Sequence, residues 1–250
     1  MRNKHDVNFT NNNNIEMVFV DMEGTIFKKV VKSTHGTAPS SWTYIADLLG
    51  PEAKEMEEET KKIWNAGGYK SYLEWMDATI DIHRKFNLNK KIFDEAMNVE
   101  YWNGVKETFD FFREKGYKTA LISGGFKAQA DKAQKDLKIN YALAGCEYFW
   151  DKKGNLYHWN LNNSDFEGKI NFMKEHIKAA KISPNQCAFI GDGPNDVGLA
   201  KEVGLSISFN GCEDLENAVK YSIKQTKGNE DFREVIKYFD SNAYARYMKK

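Results

Sequence analysis

Apolar positions along this chain follow two rhythms. Residues 15–20 form a short apolar run, β-branched at Ile15, Val18 and Val20. It is too short for a helix and predicts a buried strand. Two carboxylates, Asp21 and Glu23, follow at once, with Gly24 directly after them. The stretch 28–39 is polar, carries Gly36 and Pro39, and reads as a hinge or linker. Helical spacing then takes over. Ser40-Ser41 offer an N-cap for a helix over 42–49, with Gly50 as its stop. Pro51 opens a second helix to about residue 66, closed by Gly67-Gly68. Tyr69, Tyr72, Leu73, Met76, Ile80 and Ile82 mark a third over 69–86, and a fourth spans 90–99.

From Trp102 onward the pattern alternates between helix and strand. Helices are expected over 104–115, 126–137, 167–181, 197–203, 214–220 and 230–240, and strands over 117–122, 141–144, 187–190, 205–209 and 221–224. Residues 147–160 read as a hairpin around Lys153-Gly154-Asn155. Strands alternating with helices imply an α/β fold, a mostly parallel sheet covered on both faces. The expected organisation is a Rossmann-like three-layer sandwich built from 15–29 and 100–250, with residues 30–99 inserted as a helical cap. Residues 1–14, polar and asparagine-rich, read as a disordered lead-in.

Composition narrows the function classes. The chain has 250 residues, 41% of them hydrophobic, so a full core is affordable in surface terms. Lys+Arg and Asp+Glu both number 36, without the basic excess of a nucleic-acid binder; the cluster from Lys28 to Lys32 is short and reads as solvated. No apolar run approaches the roughly 18 residues of a membrane span. Three cysteines, Cys146, Cys187 and Cys212, lack metal-site spacing and point to reduced thiols in a cytoplasmic setting. A monomer or a homodimer fits equally.

Acidic residues at the carboxyl end of a buried strand are costly unless they act, and that end of an open α/β sheet is where ligands bind. Strand ends here supply Asp21, Glu23 and Thr25, then Ser123-Gly124, then Asp192, Asn195 and Asp196, while Lys169 opens the helix before the last of these. Carboxylates, a hydroxyl and a lysine suit a phosphoryl group and a divalent cation. Mg2+ prefers a few carboxylates, here Asp21 and Asp192. An ionised Asp21 can attack phosphorus and form an aspartyl phosphate. Ser123, the Gly124 amide and Lys169 would stabilise the charge, and Glu23 would serve as general acid and base.

These motifs resemble those of haloacid dehalogenase-like phosphatases, within them the phosphoserine-phosphatase branch. Asp21-Met-Glu23-Gly-Thr25 is similar to the family's Asp-x-Asp-x-Thr, Ser123-Gly124-Gly125-Phe126 to its second motif, Lys169 to its lysine, and Gly191 to Asp196 to its Gly-Asp-Gly-x-Asn-Asp. The resemblance covers about residues 15–240. It implies a Mg2+-dependent phosphomonoesterase acting on a small phosphorylated metabolite. Asp21 would be the nucleophile; Thr25, Ser123, Gly124, Lys169 and Asn195 would hold phosphate. Asp21, the Glu23 backbone carbonyl, Asp192 and Asp196, direct or through a neighbour, would hold the metal. The chain departs from the family in two ways: Glu23 stands where aspartate is usual, and the branch's substrate-holding Glu and Arg are missing in register. The first of these falls at Val30, and the nearest later arginine is Arg84. Two alternatives use the same residues: transfer of the phosphoryl group to an alcohol, or a catalytically silent phosphate-binding module.

Blander readings compete at several positions. Trp64, Tyr69, Tyr72, Trp75 and Met76 read first as the core of a helical bundle and second as a pocket wall. Glu57–Lys61 and Glu58–Lys62 read as pairs on a solvated helix face. Asn210 reads as a left-handed turn residue or a substrate contact.

Overall fold

The structure, a computed structural model, describes residues 14–29 and 40–249. The expected lead-in (all but Asn14), most of the expected hinge, and the Val30 position lie outside the described residues. Strand β1 is Met17–Val20, every side chain buried. It is followed by four helices: α1 Ser41–Leu49, α2 Pro51–Asn65, α3 Tyr72–Lys85 and α4 Lys90–Met97. Three begin on a side-chain cap, with Ser40 accepting from the Thr43 N–H, Ser71 from that of Glu74 and Asn89 from that of Ile92.

The remainder runs α5 Val105–Glu114, β2 Lys118–Phe126, α6 Lys127–Leu137, β3 Tyr141–Trp150, β4 Leu156–Leu161, α7 Glu167–Ala180, β5 Cys187–Gly191, α8 Val197–Glu202, β6 Leu205–Phe209, α9 Glu213–Ala218, β7 Tyr221–Ile223 and α10 Ser241–Tyr247. The seven strands lie in the order β4-β3-β2-β1-β5-β6-β7, and every pairing is parallel except β3 with β4. The chain leaves β1 toward β2 and returns on its other side at β5. The strand order therefore reverses between β1 and β5, which opens a crevice at their carboxyl ends. The α/β expectation holds.

Three apolar clusters hold the layers. One packs α5, α6 and the carboxyl-terminal segment on one sheet face around Phe109, Phe111, Phe112, Val235 and Ile236. A second packs α7 and α8 on the other through Met173, Ile177 and Leu199. The third joins α1, α3 and α4 to Phe126, Cys146 and Tyr148 at the ends of β2 and β3.

Several boundaries differ from expectation. The expected hairpin is present as β3 with β4, but the short strand expected over 141–144 and the hairpin's first arm are one ten-residue strand, β3. Its second half leaves β2, where the register shifts between Ser123 and Phe126, and pairs with β4 instead. The hairpin aromatics thus extend the sheet and pack on the inserted helices. The expected helix over 230–240 is a 3-10 helix, Phe232–Tyr238, and the tail beyond it docks: Tyr247 is buried against Phe111. Glu57 is not on a solvated face. Helix α2 packs on α1, so Glu57 is buried, 3.0 Å from Lys61 and accepting from Thr43 Oγ1 at 3.1 Å, while Lys62 pairs with Glu59. Asn210 takes the left-handed turn role, at φ 51° with its amide bonded to Gln225. Among the described residues no helix is long and apolar enough to cross a membrane, and Cys146, Cys187 and Cys212 are free thiols.

Candidate active site

The turn after β1 places the first carboxylates. Ile26 and Phe27 both donate their N–H to the Met22 carbonyl at 3.0 Å, and Gly24 donates to Phe27 at 2.9 Å. Gly24 needs its glycine: its φ is +85°, and a Cβ there would sit 2.4 Å from Asp192 Oδ2. This close approach brings the end of β1 against the end of β5. Thr25 Oγ1 donates to Asp192 Oδ1 at 2.8 Å and reaches Asp21 Oδ2 at 3.4 Å. In this structure Thr25 orients the carboxylates.

Lys169, fully buried in the first turn of α7, donates to Asp21 Oδ1 and to Asp196 Oδ1, each at 2.6 Å, and lies 3.6 Å from Asp165. The other Asp196 oxygen accepts the N–H groups of Asp192 and Gly193 at 2.9 and 3.0 Å. Gly191 leaves room for it, since a Cβ there would meet that oxygen at 2.3 Å. Asp196 is thus engaged through both oxygens by the chain itself. Asn195 donates to Asp165 at 2.6 Å. Ser123 is buried, its Oγ accepting from the Gly125 N–H at 3.0 Å. Glu23 accepts from the N–H of Ser41, the first residue of α1, at 3.0 Å.

Burial dominates the electrostatics. It pushes Asp21 well above the usual carboxylate range; Lys169 pulls the other way, and Asp196 and Asp192 add to the rise. Burial likewise raises Glu23, opposed by the Ser41 bonds, and Asp192, opposed by Lys29. For Lys169, burial works against the ammonium, but Asp196, Asp21 and Asp165 outweigh it and hold its pKa well above normal. Ligand oxygens of Asp21, Asp192 and Asp196 lie within 4.8 Å of one another. Buried carboxylates that repel one another at this range are a donor set suited to a hard divalent cation.

A cavity of about 380 Å³ opens above Asp21. The chain's core supplies its floor with Asp21, Glu23, Ser123, Gly124, Asp192 and Asn195. The inserted helices supply Trp42, Lys61, Trp64, Tyr72, Trp75 and Met76. Tyr72 and Met76 belong to the bundle core, with Trp64 and Trp75 packed on it, and the same four also wall the cavity, so both readings apply to them, while Tyr69 does not line it. Trp42 Nε1 and the Tyr72 hydroxyl both donate to the Gly124 carbonyl, at 3.2 and 2.9 Å. Arg84 stays outside, paired with Asp81 and stacked over Trp159.

Sequence reasoning missed three contributors. Lys29, read as part of a solvated cluster, reaches Asp192 at 2.9 Å. Asp165 and Phe166 line the cavity. Phe166 carries an uncommon backbone for a bulky residue, φ +46° and ψ −116°. The available signal was the spacing of Asp165, four residues before Lys169.

A sequence model of haloacid dehalogenase-like hydrolases matches residues 15–204. The chain is 27% identical over 194 residues to the phosphoserine phosphatase of Methanocaldococcus jannaschii, covering 73% of this chain and 85% of that protein. It is 29% identical over 136 residues to the phosphoserine phosphatase of Lactococcus lactis, covering 53% of this chain and 61% of that one. Among solved structures, a phospho-aspartyl intermediate analogue of phosphoserine phosphatase superposes with a TM-score of 0.72 at 20% identity, covering 90% of this chain and 99% of the other.

Proposed function

The chain belongs to the haloacid dehalogenase-like hydrolase family, on its phosphoserine-phosphatase-like branch, and from that premise we propose that it is a phosphomonoesterase working through an aspartyl phosphate on Asp21. Its substrate would be a small phosphorylated metabolite. The observation that carries this reading is the arrangement around Lys169. One buried ammonium holds Asp21 Oδ1 at 2.6 Å and leaves Oδ2, which among the described residues has the long Thr25 contact alone, for attack.

In the first step an Asp21 Oδ2–phosphorus bond forms and the bond from phosphorus to the ester oxygen breaks. The departing oxygen takes a proton from Glu23, whose burial favours the protonated form. In the second step water attacks phosphorus, Glu23 accepts its proton, and Asp21 is released as the carboxylate. Ser123, the Gly124 N–H and Lys169 would hold the phosphoryl oxygens, with Thr25 and Asn195 fixing their neighbours. Asp21, Asp192 and the Glu23 backbone carbonyl would hold Mg2+, with Asp196 behind them because both its oxygens are engaged. When bound, Mg2+ neutralises phosphate charge as a Lewis acid. The inserted helices α1–α4 would act as a cap that selects the leaving group and excludes water.

Glu23 is longer than the usual aspartate by one methylene, and the Ser41 N–H takes up that reach. The first helix of the cap therefore orients the general acid. The test is phosphate release from a panel of small esters with Mg2+, beside Asp21→Asn. Release that the variant abolishes is expected; a variant that keeps most of the activity overturns the mechanism.

A further inference from the structure

The cavity wall above the nucleophile has a chemistry of its own. Four rings form a continuous patch: Trp64 stacks on Trp75 at 5.0 Å, Phe166 lies 5.5 Å from Trp64, and Tyr72 lies 6.2 Å from both Trp75 and Phe166. All four line the cavity. Phe166 is held there by a backbone conformation that bulky residues rarely adopt. The Asp165 carboxylate stands beside this patch. A Cβ on Gly124 would meet Asp165 Oδ2 and the Tyr72 hydroxyl, each at 2.6 Å, so acid and aromatic ring flank the phosphate-binding turn together.

Charge decides what such a wall accepts. Among the described residues, with Glu23 holding its proton, four carboxylates (Asp21, Asp165, Asp192 and Asp196) share two ammonium groups, Lys29 and Lys169. Lys169 is nearer to Asp21 and Asp196, at 2.6 Å, than to Asp165, at 3.6 Å. The closest partner of Asp165 is the uncharged Asn195 amide. A divalent cation and a phosphate dianion cancel each other and leave the carboxylate excess in place. The remaining cation in the wall, Lys61, is already matched by buried Glu57 at 3.0 Å. No arginine lines the cavity among the described residues, so a substrate carboxylate finds no bidentate partner.

We propose that the site takes the phosphate monoester of a short cationic alcohol, its ammonium seated between the Asp165 carboxylate and the Trp64–Trp75–Tyr72–Phe166 wall. This rests on the phosphatase reading and names its substrate class. An ammonium gains from aromatic faces, and a quaternary one, which cannot hydrogen-bond, depends on them most. Phosphoserine, with a carboxylate beside its ammonium, fits this wall less well.

The test compares choline phosphate with its neutral isostere, 3,3-dimethylbutyl phosphate, and with phosphoserine, on the unmodified chain. Choline phosphate should show at least tenfold higher kcat/KM than either. Asp165→Asn should bring the first two within about twofold of each other, whatever its absolute rate, and Trp75→Leu should narrow the gap. Calorimetry on Asp21→Asn reads the same preference without turnover, at least tenfold tighter binding of choline phosphate than of the isostere. Equal binding and equal turnover, or a preference for phosphoserine or for p-nitrophenyl phosphate, overturns the proposal while the phosphatase reading stands. Binding preference with no release from any ester, p-nitrophenyl phosphate included, supports it and overturns the phosphatase reading alone.

Discussion

Gly24→Ala, set against Gly67→Ala, separates backbone strain from damage to the site. Both glycines have positive φ, +85° and +73°. A left-handed backbone costs alanine about 1–2 kcal/mol, part of which is returned because alanine loses less entropy on folding. At Gly67 nothing lies within 4 Å of the added Cβ, so that modest cost of about 1 kcal/mol is the whole effect. At Gly24 the Cβ arrives 2.4 Å from Asp192 Oδ2 and 2.8 Å from its Cγ. Asp192 cannot swing away freely, because Thr25 donates to one oxygen and Lys29 pairs with the other. Moving it disturbs charge-assisted hydrogen bonds worth about 1.5–3 kcal/mol. Gly24→Ala should therefore cost about 3–4 kcal/mol, read as a drop in urea midpoint at unchanged slope. Its Mg2+ affinity, by calorimetry, should fall about 10–100-fold, as when a partner that orients a ligand is lost. Gly67→Ala should leave Mg2+ affinity alone. Matching urea midpoints for the two variants, with native Mg2+ affinity in both, would refute this account of the β1 turn.

Three further outcomes follow from the geometry. Lys169→Met strands Asp21, Asp196 and Asp165 without their shared ammonium, so stability should fall by about 3–5 kcal/mol and phosphate release by about 10²–10³-fold; an unchanged denaturation midpoint refutes it. Glu23→Asp withdraws the acid from the Ser41 N–H, and kcat should fall about tenfold or more for alkyl esters but little for p-nitrophenyl phosphate, whose leaving group needs no proton; an equal loss on both counts against the acid role. His83 is fully buried, with Nδ1 2.7 Å from the Tyr148 hydroxyl, and burial lowers its pKa to about 3. The unfolded chain binds that proton near pH 6.5 and the folded one does not, so this stability is whole above pH 6.5 and is lost on acidification toward pH 3. From pH 7.5 to 5.5 the loss should be about 1.4 kcal/mol greater for the native chain than for His83→Gln by urea titration; parallel slopes refute it.

The residues that were legible in the sequence share one property: each sits at a strand end or a helix start where a charge has no structural excuse. Asp21 and Asp192 follow runs of wholly buried residues, and Lys169 opens a helix that it enters fully buried. Asp165 and Lys29 lacked that signature. Asp165 lies in the loop before a helix rather than at a strand end, and a lysine among lysines reads as solvated, although Lys29 reaches into the site from a partly exposed position. Glu57 was misread for the converse reason. Period alone places it on a charged face, and only the packing of α2 on α1 buries it beside Thr43. The pairing of β3 with β4 is the hairpin that local pattern predicts. The boundary failed because the first arm of that hairpin continues, without a break, the strand that begins at Tyr141 beside β2, a continuity that local pattern does not encode.

The Gly124 carbonyl ties these two kinds of information together. Its residue belongs to the strand-end motif that the sequence announces, yet its oxygen accepts from Trp42 of α1 and Tyr72 of α3 at once. The same α1 gives Glu23 its anchor through the Ser41 N–H. Displacing α1 would release Glu23 and one of the two donors on that carbonyl together, so on the proposed mechanism the position of α1 and that of the acid are one variable rather than two. A leaving group that fails to fill the wall formed by Trp64, Tyr72 and Trp75 would leave α3 less well seated and the phosphate turn less well held. Selectivity should then appear in kcat as well as in KM, because binding energy from the remote part of the ester is used to assemble the acid and the phosphate site at the reacting bond.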